Sequence, residues 1–210
     1  MEICTMTSTR EVVTTVTLRR LMTSAAMIAL ALGPLGCRMG HAPAAAIAPL
    51  PTGVSPRDYE YLRHRALLIP VANITLSHIP DTFNDARDGK RVHRAVDILA
   101  PKGTPVLSTD VGYVLKLRMG GSGGITIYAV DPDERFVYYY AHLDRYRKGL
   151  AEGQRLQKGD TIGYVGTSGN APRDTPHLHF QESRMPPSQN WWEGVAVDPL
   201  PLFSPETIAQ

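Results

Sequence analysis

Two of the seven histidines in the chain lie in the segment His177-Leu178-His179-Phe180. Successive side chains of a β-strand point to opposite faces of the sheet, so this spacing places both imidazoles on one face. Leu178 and Phe180 then point to the other face and anchor the strand in a core. The segment therefore predicts two nitrogen donors directed into one cleft, where they can bind a metal ion or transfer protons.

A second group of candidate donors lies in His93-Arg94-Ala95-Val96-Asp97. If this segment is extended, its even spacing places His93 and Asp97 on a common face. Catalytic zinc takes three nitrogen or oxygen ligands from the protein and leaves one position open for water. His93, Asp97 and one member of the His177/His179 pair make up such a set, and spacing alone does not choose between the two histidines.

Other motifs that could supply zinc ligands or a general base are absent from the sequence. The two cysteines, Cys4 and Cys37, both lie in the first fifth of the chain and have no partner at metal-ligand spacing. No His-Glu-x-x-His motif supplies a glutamate as general base. Because histidine titrates near neutral pH, a histidine outside the ligand set is expected to take that role.

The elements that must position these residues are predicted to be β-strands. From about Ile69 onward, short runs rich in Val, Ile and Tyr alternate with clusters of Gly, Pro, Asn and Asp, which is typical of an all-β domain. The turn residues Asp131-Pro132-Asp133-Glu134 predict a hairpin, and residues 143–150 predict a helical turn. The predicted strands are Val96–Leu99, Val106–Leu107, Gly112–Leu117, Ile125–Val130, Phe136–Ala141, Thr161–Val165 and His177–Gln181.

A longer series of motifs runs in order through about residues 70–185. Its members are Asp81-Thr82-Phe83, the run from His93 to Val106, Gly120-Gly121-Ser122-Gly123-Gly124, Tyr140-Ala141-His142-Leu143, the runs 157–166 and 167–171, and Pro176 to Phe180. Together they resemble the lysostaphin-type zinc endopeptidases, peptidase family M23. The resemblance implies an open antiparallel β-sheet domain, of the lysostaphin-like or duplicated-hybrid-motif type, with a long substrate groove.

The resemblance also implies roles for individual residues. By position in the family's motifs, His93, Asp97 and His179 are the zinc ligands, so the family likeness selects His179 over His177. His142 and His177 become the active-site histidines that do not bind the metal. We favour His177 as the general base and His142 as the electrostatic stabiliser of the reaction.

Several positions have two interpretations at this stage. The family usually has glycine at the positions of Ala95 and Asn84. If the glycine at the position of Ala95 needs positive φ, the alanine adds local strain and alters the groove. Gly120–Gly124 is either a groove wall or a mobile hairpin tip. Tyr138–Tyr140 are expected to alternate between core and groove, and Trp191-Trp192 either contact glycan or pack the carboxy-terminal residues.

Residues 1–37 are predicted to be a secretory signal segment. Two arginines, Arg19 and Arg20, precede an uncharged apolar run that ends in small residues. Leu35-Gly36-Cys37 resembles the lipobox of bacterial lipoproteins, from which Pro34 departs. We therefore expect an exported protein of the periplasm or cell envelope, with two alternatives: a lipid anchor at Cys37, which would suit an outer-membrane lipoprotein, and plain secretion.

The rest of the chain divides into a tether and one domain. Residues 38–65 are predicted to be a linker because prolines and alanines interrupt any periodic apolar face. Within and just after this range, Tyr59 to Leu68 is a candidate short helix. Residues 66–205 are predicted to form the zinc metallopeptidase domain.

The formal net charge of +2, from 22 basic and 20 acidic residues, supplies no field strong enough to hold a polyanion. We therefore expect no nucleic-acid partner. The sequence thus predicts an exported zinc metalloendopeptidase whose substrate and partner is the peptide cross-link of bacterial peptidoglycan. One alternative is a non-catalytic peptidoglycan-binding or amidase-activating protein of the same fold, and another is a lipoyl-type carrier domain suggested by residues 158–163. The oligomeric state does not follow from the sequence.

Overall fold

The computed structural model describes residues 53–87, 89 and 91–205. The described residues all belong to one compact unit of the chain, which starts at Ile47. The predicted signal segment, the lipobox at Cys37 and most of the predicted linker therefore lie outside the described residues. Within the described part, no helix combines the length and the hydropathy needed to cross a bilayer.

The described residues form one α-helix and eleven strands, of which seven lie on the strand runs predicted from the sequence and four, at residues 86–87, 91–92, 155–156 and 195–197, do not. The predicted all-β class is confirmed. In chain order the elements are α1 (Pro56–Arg65), β1 (Ala86–Arg87), β2 (Arg91–Val92), β3 (Val96–Leu99), β4 (Pro105–Leu107), β5 (Gly112–Met119), β6 (Ile125–Val130), β7 (Phe136–Tyr146), β8 (Arg155–Leu156), β9 (Thr161–Val165), β10 (His177–Arg184) and β11 (Val195–Val197).

Nine of these strands form one antiparallel sheet with the main strand order β11-β10-β7-β6-β5-β8. Two branches extend it: β3 pairs with β10, and β9 pairs with both β7 and β4. β1 and β2 form a separate hairpin. In β10, Leu178 and Phe180 are fully buried in the main core. The alternation of a strand then places His177 and His179 on the opposite face, as the sequence predicts.

The predicted hairpin between β6 and β7 is confirmed, with Val130 paired to Val137. Its turn is closed by Asp131, whose Oδ1 accepts hydrogen bonds from the backbone N–H groups of Arg135 and Phe136. The predicted helical turn at 143–150 is wrong, because β7 continues to Tyr146. This extension is stabilised by pairing with β9, a partner that the local sequence does not reveal.

A β-bulge divides β7 at His142, which has a φ of 62°. Before the bulge, β7 pairs with β10 up to Ala141, and after it β7 pairs with β9 from Leu143 onward. The extra residue reverses the alternation of side chains. Leu143 therefore enters the core, and His142 lies on the same side as the histidines of β10.

Helix α1 occupies the last ten residues of the range predicted as linker. A capping box begins it, in which Ser55 and Asp58 bond to each other's backbone N–H groups. Leu62 is fully buried in the main core. Asp58 also pairs with Arg135 at 2.9 Å and with Arg184 at 3.0 Å, so α1 is held against the sheet by apolar and ionic contacts.

Candidate metal centre and substrate groove

The strand β10 lies between β3 and β7, and this pairing positions the first candidate ligands. His179 is directly opposite Asp97 on β3 and opposite Ala141 on β7. Side chains of directly paired residues lie on the same face of a sheet. Asp97 and His179, which are 82 residues apart in the sequence, are thereby placed side by side.

His93 reaches the same place by a different route from the one that its spacing predicts. The segment from His93 to Asp97 is not extended throughout, because β3 begins at Val96 and Arg94 has a φ of 61°. This left-handed turn replaces the assumed alternation. Thr82 fixes the result: its carbonyl oxygen lies 2.9 Å from His93 Nδ1, and its hydroxyl accepts the backbone N–H of Asp97 at 3.1 Å.

Three donor atoms converge at this point. His93 Nε2 lies 2.9 Å from His179 Nδ1, and both nitrogens lie 3.1 Å from Asp97 Oδ1. Ligand atoms of a tetrahedral zinc site lie roughly 3.3 Å apart, given zinc bonds of about 2.0–2.2 Å. The triangle matches that spacing to within a few tenths of an ångström. Two imidazole nitrogens and one carboxylate oxygen therefore fit a catalytic metal ion.

The protonation of His93 agrees with a ligand role. A carbonyl oxygen can only accept, so the contact with Thr82 places the proton of neutral His93 on Nδ1 and leaves a lone pair on Nε2. Arg87 Nη2 also lies 2.9 Å from this Nδ1, but two donors form no hydrogen bond. His93 Nδ1 therefore donates to Thr82, and Arg87 donates to Asp97.

Charges around the site keep Asp97 ionised. Burial by itself would raise the pKa of Asp97, but the imidazoles of His179 and His93 beside the carboxylate outweigh burial and hold the pKa well below its usual range. Burial lowers the pKa of His179, and the Asp97 carboxylate only partly opposes this effect. A negative carboxylate beside a histidine that favours its neutral form is the donor set that a divalent cation requires.

His142 and His177 lie beside the three donors without joining them. The ring of His142 is centred 5.0 Å from that of His177 and 5.7 Å from that of His179. His142 Nδ1 bonds to the carbonyl oxygen of Ser168 at 2.9 Å, and His177 Nδ1 bonds to that of Thr175 at 2.8 Å. Both neutral rings therefore carry a lone pair on Nε2, and burial lowers the pKa of His142 to about 4.

The three candidate ligands and the two further histidines all line one open groove of about 420 Å³. Ser122 and Gly123 form part of its wall, which supports the first interpretation of the glycine-rich run. Gly123 accepts the backbone N–H of His142 at 2.9 Å through its carbonyl oxygen. The same run packs so closely against Ser168 that a Cβ on Gly124 would lie 2.3 Å from the Ser168 hydroxyl.

Tyr139 lines the groove, whereas Tyr138 and Tyr140 are buried in the core, in agreement with the expected alternation. Ala95 is fully buried and does not have positive φ, so the strain considered for this position does not arise. Asn84 also lacks positive φ, and its Oδ1 accepts a hydrogen bond from Arg94 at 3.2 Å.

Sequence reasoning missed two residues that organise the centre. Arg87 contacts Asp97 from the β1–β2 hairpin, and Thr82 bonds to both His93 and Asp97. Thr82 belongs to one of the motifs used above, but its side-chain role has no local signal. Arg87 is separated from His93 by a turn, so neither strand nor helix periodicity relates the two residues.

Comparison with known proteins identifies the family of this chain. Residues 91–199, just over half of the 210-residue chain, match Peptidase family M23. The L-Ala--D-Glu endopeptidase of Bacillus subtilis (strain 168) is 40% identical over 106 residues, which are 47% of this chain and 32% of that protein. The peptidoglycan DD-endopeptidase ShyC of Vibrio cholerae is 32% identical over 91 residues, 43% of this chain and 20% of that protein.

The chain thus spans about a third or less of the length of these curated relatives. Among solved structures, a zinc containing peptidase from Vibrio cholerae has the same fold, with a TM-score of 0.50 and 24% identity over 70% of this chain and 41% of that chain. Because the family match covers more than half of the sequence and includes all five histidine and aspartate positions of the groove, the chain belongs to Peptidase family M23.

Proposed function

We propose that this chain is an exported zinc metalloendopeptidase that hydrolyses peptide cross-links of bacterial peptidoglycan. The observation that carries the proposal is the convergence of His93 Nε2, Asp97 Oδ1 and His179 Nδ1 within 2.9–3.1 Å of one another in an open groove. Membership of the family supports the reaction class, and a relative named as a peptidoglycan DD-endopeptidase supports the substrate.

Zinc is the ion that this donor set favours, because imidazole nitrogen and carboxylate oxygen are the usual ligands of catalytic zinc. When bound, zinc polarises a peptide carbonyl as a Lewis acid and lowers the pKa of water from ~15.7 to about 7. His93, Asp97 and His179 would hold the ion. Thr82 would fix the ring of His93, and Arg87 would fix the carboxylate of Asp97.

Proton transfer then falls to the two histidines outside the donor set. His177 Nε2 lies 3.9 Å from Asp97 Oδ1, close enough for its lone pair to accept a proton from a water in the centre. The protonated ring would next donate this proton to the departing amine. Thr175 holds the ring through Nδ1, so the proton enters and leaves at Nε2.

His142 would act on the other side of the reacting carbonyl. Its ring is held by Ser168, and Nε2 is the free nitrogen in the neutral form. A lone pair repels an oxyanion, so His142 stabilises the developing negative charge only after it gains a proton. The proton released by water would meet this requirement if it reached His142 before it passed to the departing amine, and the rings of His142 and His177 are centred 5.0 Å apart.

The non-catalytic alternative receives no support from the site. All three candidate ligands and both further histidines are present and face the groove. The carrier-domain alternative also receives no support: the amine of Lys158 bonds to the backbone carbonyl oxygens of Arg65 and Ala66 at the end of α1. A carrier lysine must instead present its amine for modification.

Export and anchoring belong to the proposal through the sequence of residues 1–37. The arginine pair and apolar run support export to the cell envelope, and Cys37 supports a lipid anchor. Metabolic labelling of the expressed full chain with a radiolabelled fatty acid tests the anchor. A Cys37→Ser variant is expected to lose the label, and an unlabelled wild-type protein would leave plain secretion as the route.

Digestion of purified sacculi tests the enzymatic proposal. The full chain is incubated with sacculi in the presence of zinc, and the released fragments are identified by mass spectrometry, which also identifies the bond. A zinc chelator and the variant His179→Ala should each abolish release. Intact sacculi in every sample would overturn the proposal, whereas release by His179→Ala would overturn its ligand assignment alone.

A further inference from the structure

A continuous series of aromatic rings leads away from the candidate metal centre. Tyr139 stands 6.0 Å from the ring of His179, and Tyr128 stands 4.5 Å from Tyr139. Trp191 packs on Tyr128 at 4.3 Å, and Trp192 meets Trp191 at 5.2 Å with the two rings nearly perpendicular. We call Tyr139, Tyr128, Trp191 and Trp192 the aromatic shelf.

The inner part of the shelf is packed, whereas its outer end is open. Tyr128 and Trp191 pack beside Val130, Val137 and Met185, a small apolar cluster on the sheet. Trp192 is 65% exposed. Exposing a tryptophan ring to water is unfavourable, and an apolar surface that continues from a groove commonly marks a binding site. The packing alternative considered for this pair thus applies to Trp191, and it does not account for Trp192.

The shelf has a firm support and a polar rim. Trp191 and Trp192 belong to a short 3-10 turn that leads directly into β11, the strand paired with β10. Glu193 stabilises this turn, because its carboxylate accepts hydrogen bonds from Ser188 and Asn190 at 3.2 Å each. The rim therefore offers a carboxylate, an amide and a hydroxyl group beside an exposed ring.

We propose that the aromatic shelf binds sugar rings of the glycan strand to which the substrate peptide is attached. The inference rests on the proposed function and adds a glycan subsite to the peptide groove. The apolar face of a pyranose ring packs on an aromatic ring, while its hydroxyl and acetamido groups lie at the edge. The exposed face of Trp192 and the rim at Glu193 and Asn190 match these two parts.

Distance and charge both agree with this occupant. The ring-to-ring steps place Trp192 no more than about 20 Å from His179. One to four residues of an extended stem peptide span roughly 3–14 Å, and a sugar unit adds several more, so a glycan attached to the cleaved peptide reaches the shelf. The N-acetylated sugars are neutral once the peptide is attached, so Glu193 does not repel them.

Two matched substrates test the inference with the full chain. One is a cross-linked muropeptide dimer that carries its disaccharides, and the other is the same dimer after an amidase has removed the sugars. Trp192→Ala should lower kcat/KM about tenfold on the first substrate and leave the second unchanged, as expected for loss of an interface tryptophan. Trp192→Tyr, which keeps a ring, should restore most of the difference.

The control variant is Met119→Ala, which removes an apolar side chain that is 72% exposed but does not belong to the shelf. It should behave as the wild type on both substrates. Calorimetry with N-acetylglucosamine oligosaccharides, which are neutral, gives a second measurement, in which wild type should bind and Trp192→Ala should bind about tenfold more weakly.

The outcomes separate the two proposals. An equal loss on both substrates, or no loss on either, overturns the glycan subsite. If wild type cleaves neither substrate, the proposed function fails, and calorimetry then decides the subsite by itself. The glycan subsite is also overturned if the wild-type protein cleaves both substrates equally and binds no glycan in the calorimeter.

Discussion

Arg87 and Asp97 form a salt bridge in which Nη2 of the arginine lies 2.5 Å from Oδ2 of the carboxylate. The other oxygen of Asp97, Oδ1, lies 3.1 Å from donor nitrogens of His93 and His179. One oxygen is therefore paired with a cation, and the other is left for a metal. This arrangement fixes the rotation of the carboxylate and favours binding through a single oxygen.

We expect Arg87→Ala to weaken zinc binding by about 10- to 100-fold, the usual effect of removing a residue that orients a ligand. Removal of a cation by itself favours binding of another cation, but Arg87 is 34% exposed, so solvent screens this opposite effect. Competition against a chromogenic zinc chelator measures the affinity. Arg63→Ala, at an exposed position of α1, should leave it unchanged.

The two histidines of β10 are expected to have different roles, His179 as a zinc ligand and His177 as the residue that transfers protons. His179→Ala should abolish zinc binding, because it removes one of three donors. His177→Ala should keep stoichiometric zinc and lose at least about 100-fold in turnover, within the range of general acid–base catalysis. Zinc content after dialysis and sacculi digestion measure the two properties, and zinc loss in His177→Ala would reverse the assignment.

The close contact between the Gly120–Gly124 run and residues Ser168-Gly169 predicts a variant that keeps the metal but loses activity. A Cβ on Gly169 would lie 2.2 Å from the carbonyl oxygen of Ser122, at a φ of 73° that favours glycine. Gly169→Ala should therefore displace Ser168, whose carbonyl oxygen holds His142 Nδ1.

We expect Gly169→Ala to bind zinc as wild type does and to lower kcat about tenfold or more, because misplaced catalytic groups lose proximity and orientation. Zinc titration and muropeptide cleavage are measured side by side. Gly149→Ala is the control at another glycine with positive φ, where an added Cβ meets no atom within 4 Å. Equal turnover of Gly169→Ala and Gly149→Ala would contradict the role of Ser168.

Ala95 predicts a change in stability rather than in catalysis. The residue is fully buried without positive φ, so its side chain is accommodated. Ala95→Gly should lower the free energy of unfolding by about 1 kcal/mol, because glycine loses more conformational entropy on folding and leaves a methyl-sized gap. Urea denaturation measures this loss, and a more stable glycine variant would show that Ala95 is strained after all.

Glu182 on β10 should make the stability of the protein depend on pH. The side chain is fully buried, and neither carboxylate oxygen has a hydrogen-bond partner. Burial, together with Asp110 and Asp131, raises the pKa of Glu182 well above its usual value. The folded state therefore holds a proton that the unfolded state releases above about pH 4.5, so the contribution of this group falls as pH rises.

Glu182→Gln removes that titration. Its stability relative to wild type should increase as the pH is raised from 4.5 to 8, and the two proteins should differ least at the acidic end. Thermal denaturation across this range measures the trend. Glu134→Gln, at an exposed turn position, should run parallel to wild type, and a parallel curve for Glu182→Gln would show that Glu182 is not held protonated.

The sequence by itself determined the strand class and the pairing of donors on β10. His177 and His179 face one side because the period of two is a property of the extended backbone, which any run of strand residues obeys. The hairpin at residues 131–134 follows from turn residues in the same local way. The motif order also identified the family before any contact was known.

Tertiary structure alone decided how the remaining residues reach the groove. Alternation from Tyr140 would direct His142 into the core, and the bulge at a φ of 62° turns it outward. His93 joins Asp97 through a left-handed Arg94 and two hydrogen bonds to Thr82.

The physical reason is that such departures from regular geometry are stabilised by distant partners. The bulge exists because β7 leaves β10 and pairs with β9, and Arg87 contacts Asp97 because a separate hairpin folds over the centre. Strand periodicity depends only on neighbouring residues in the sequence. The bulge and the Arg87–Asp97 contact depend on segments that come close together only in the folded chain.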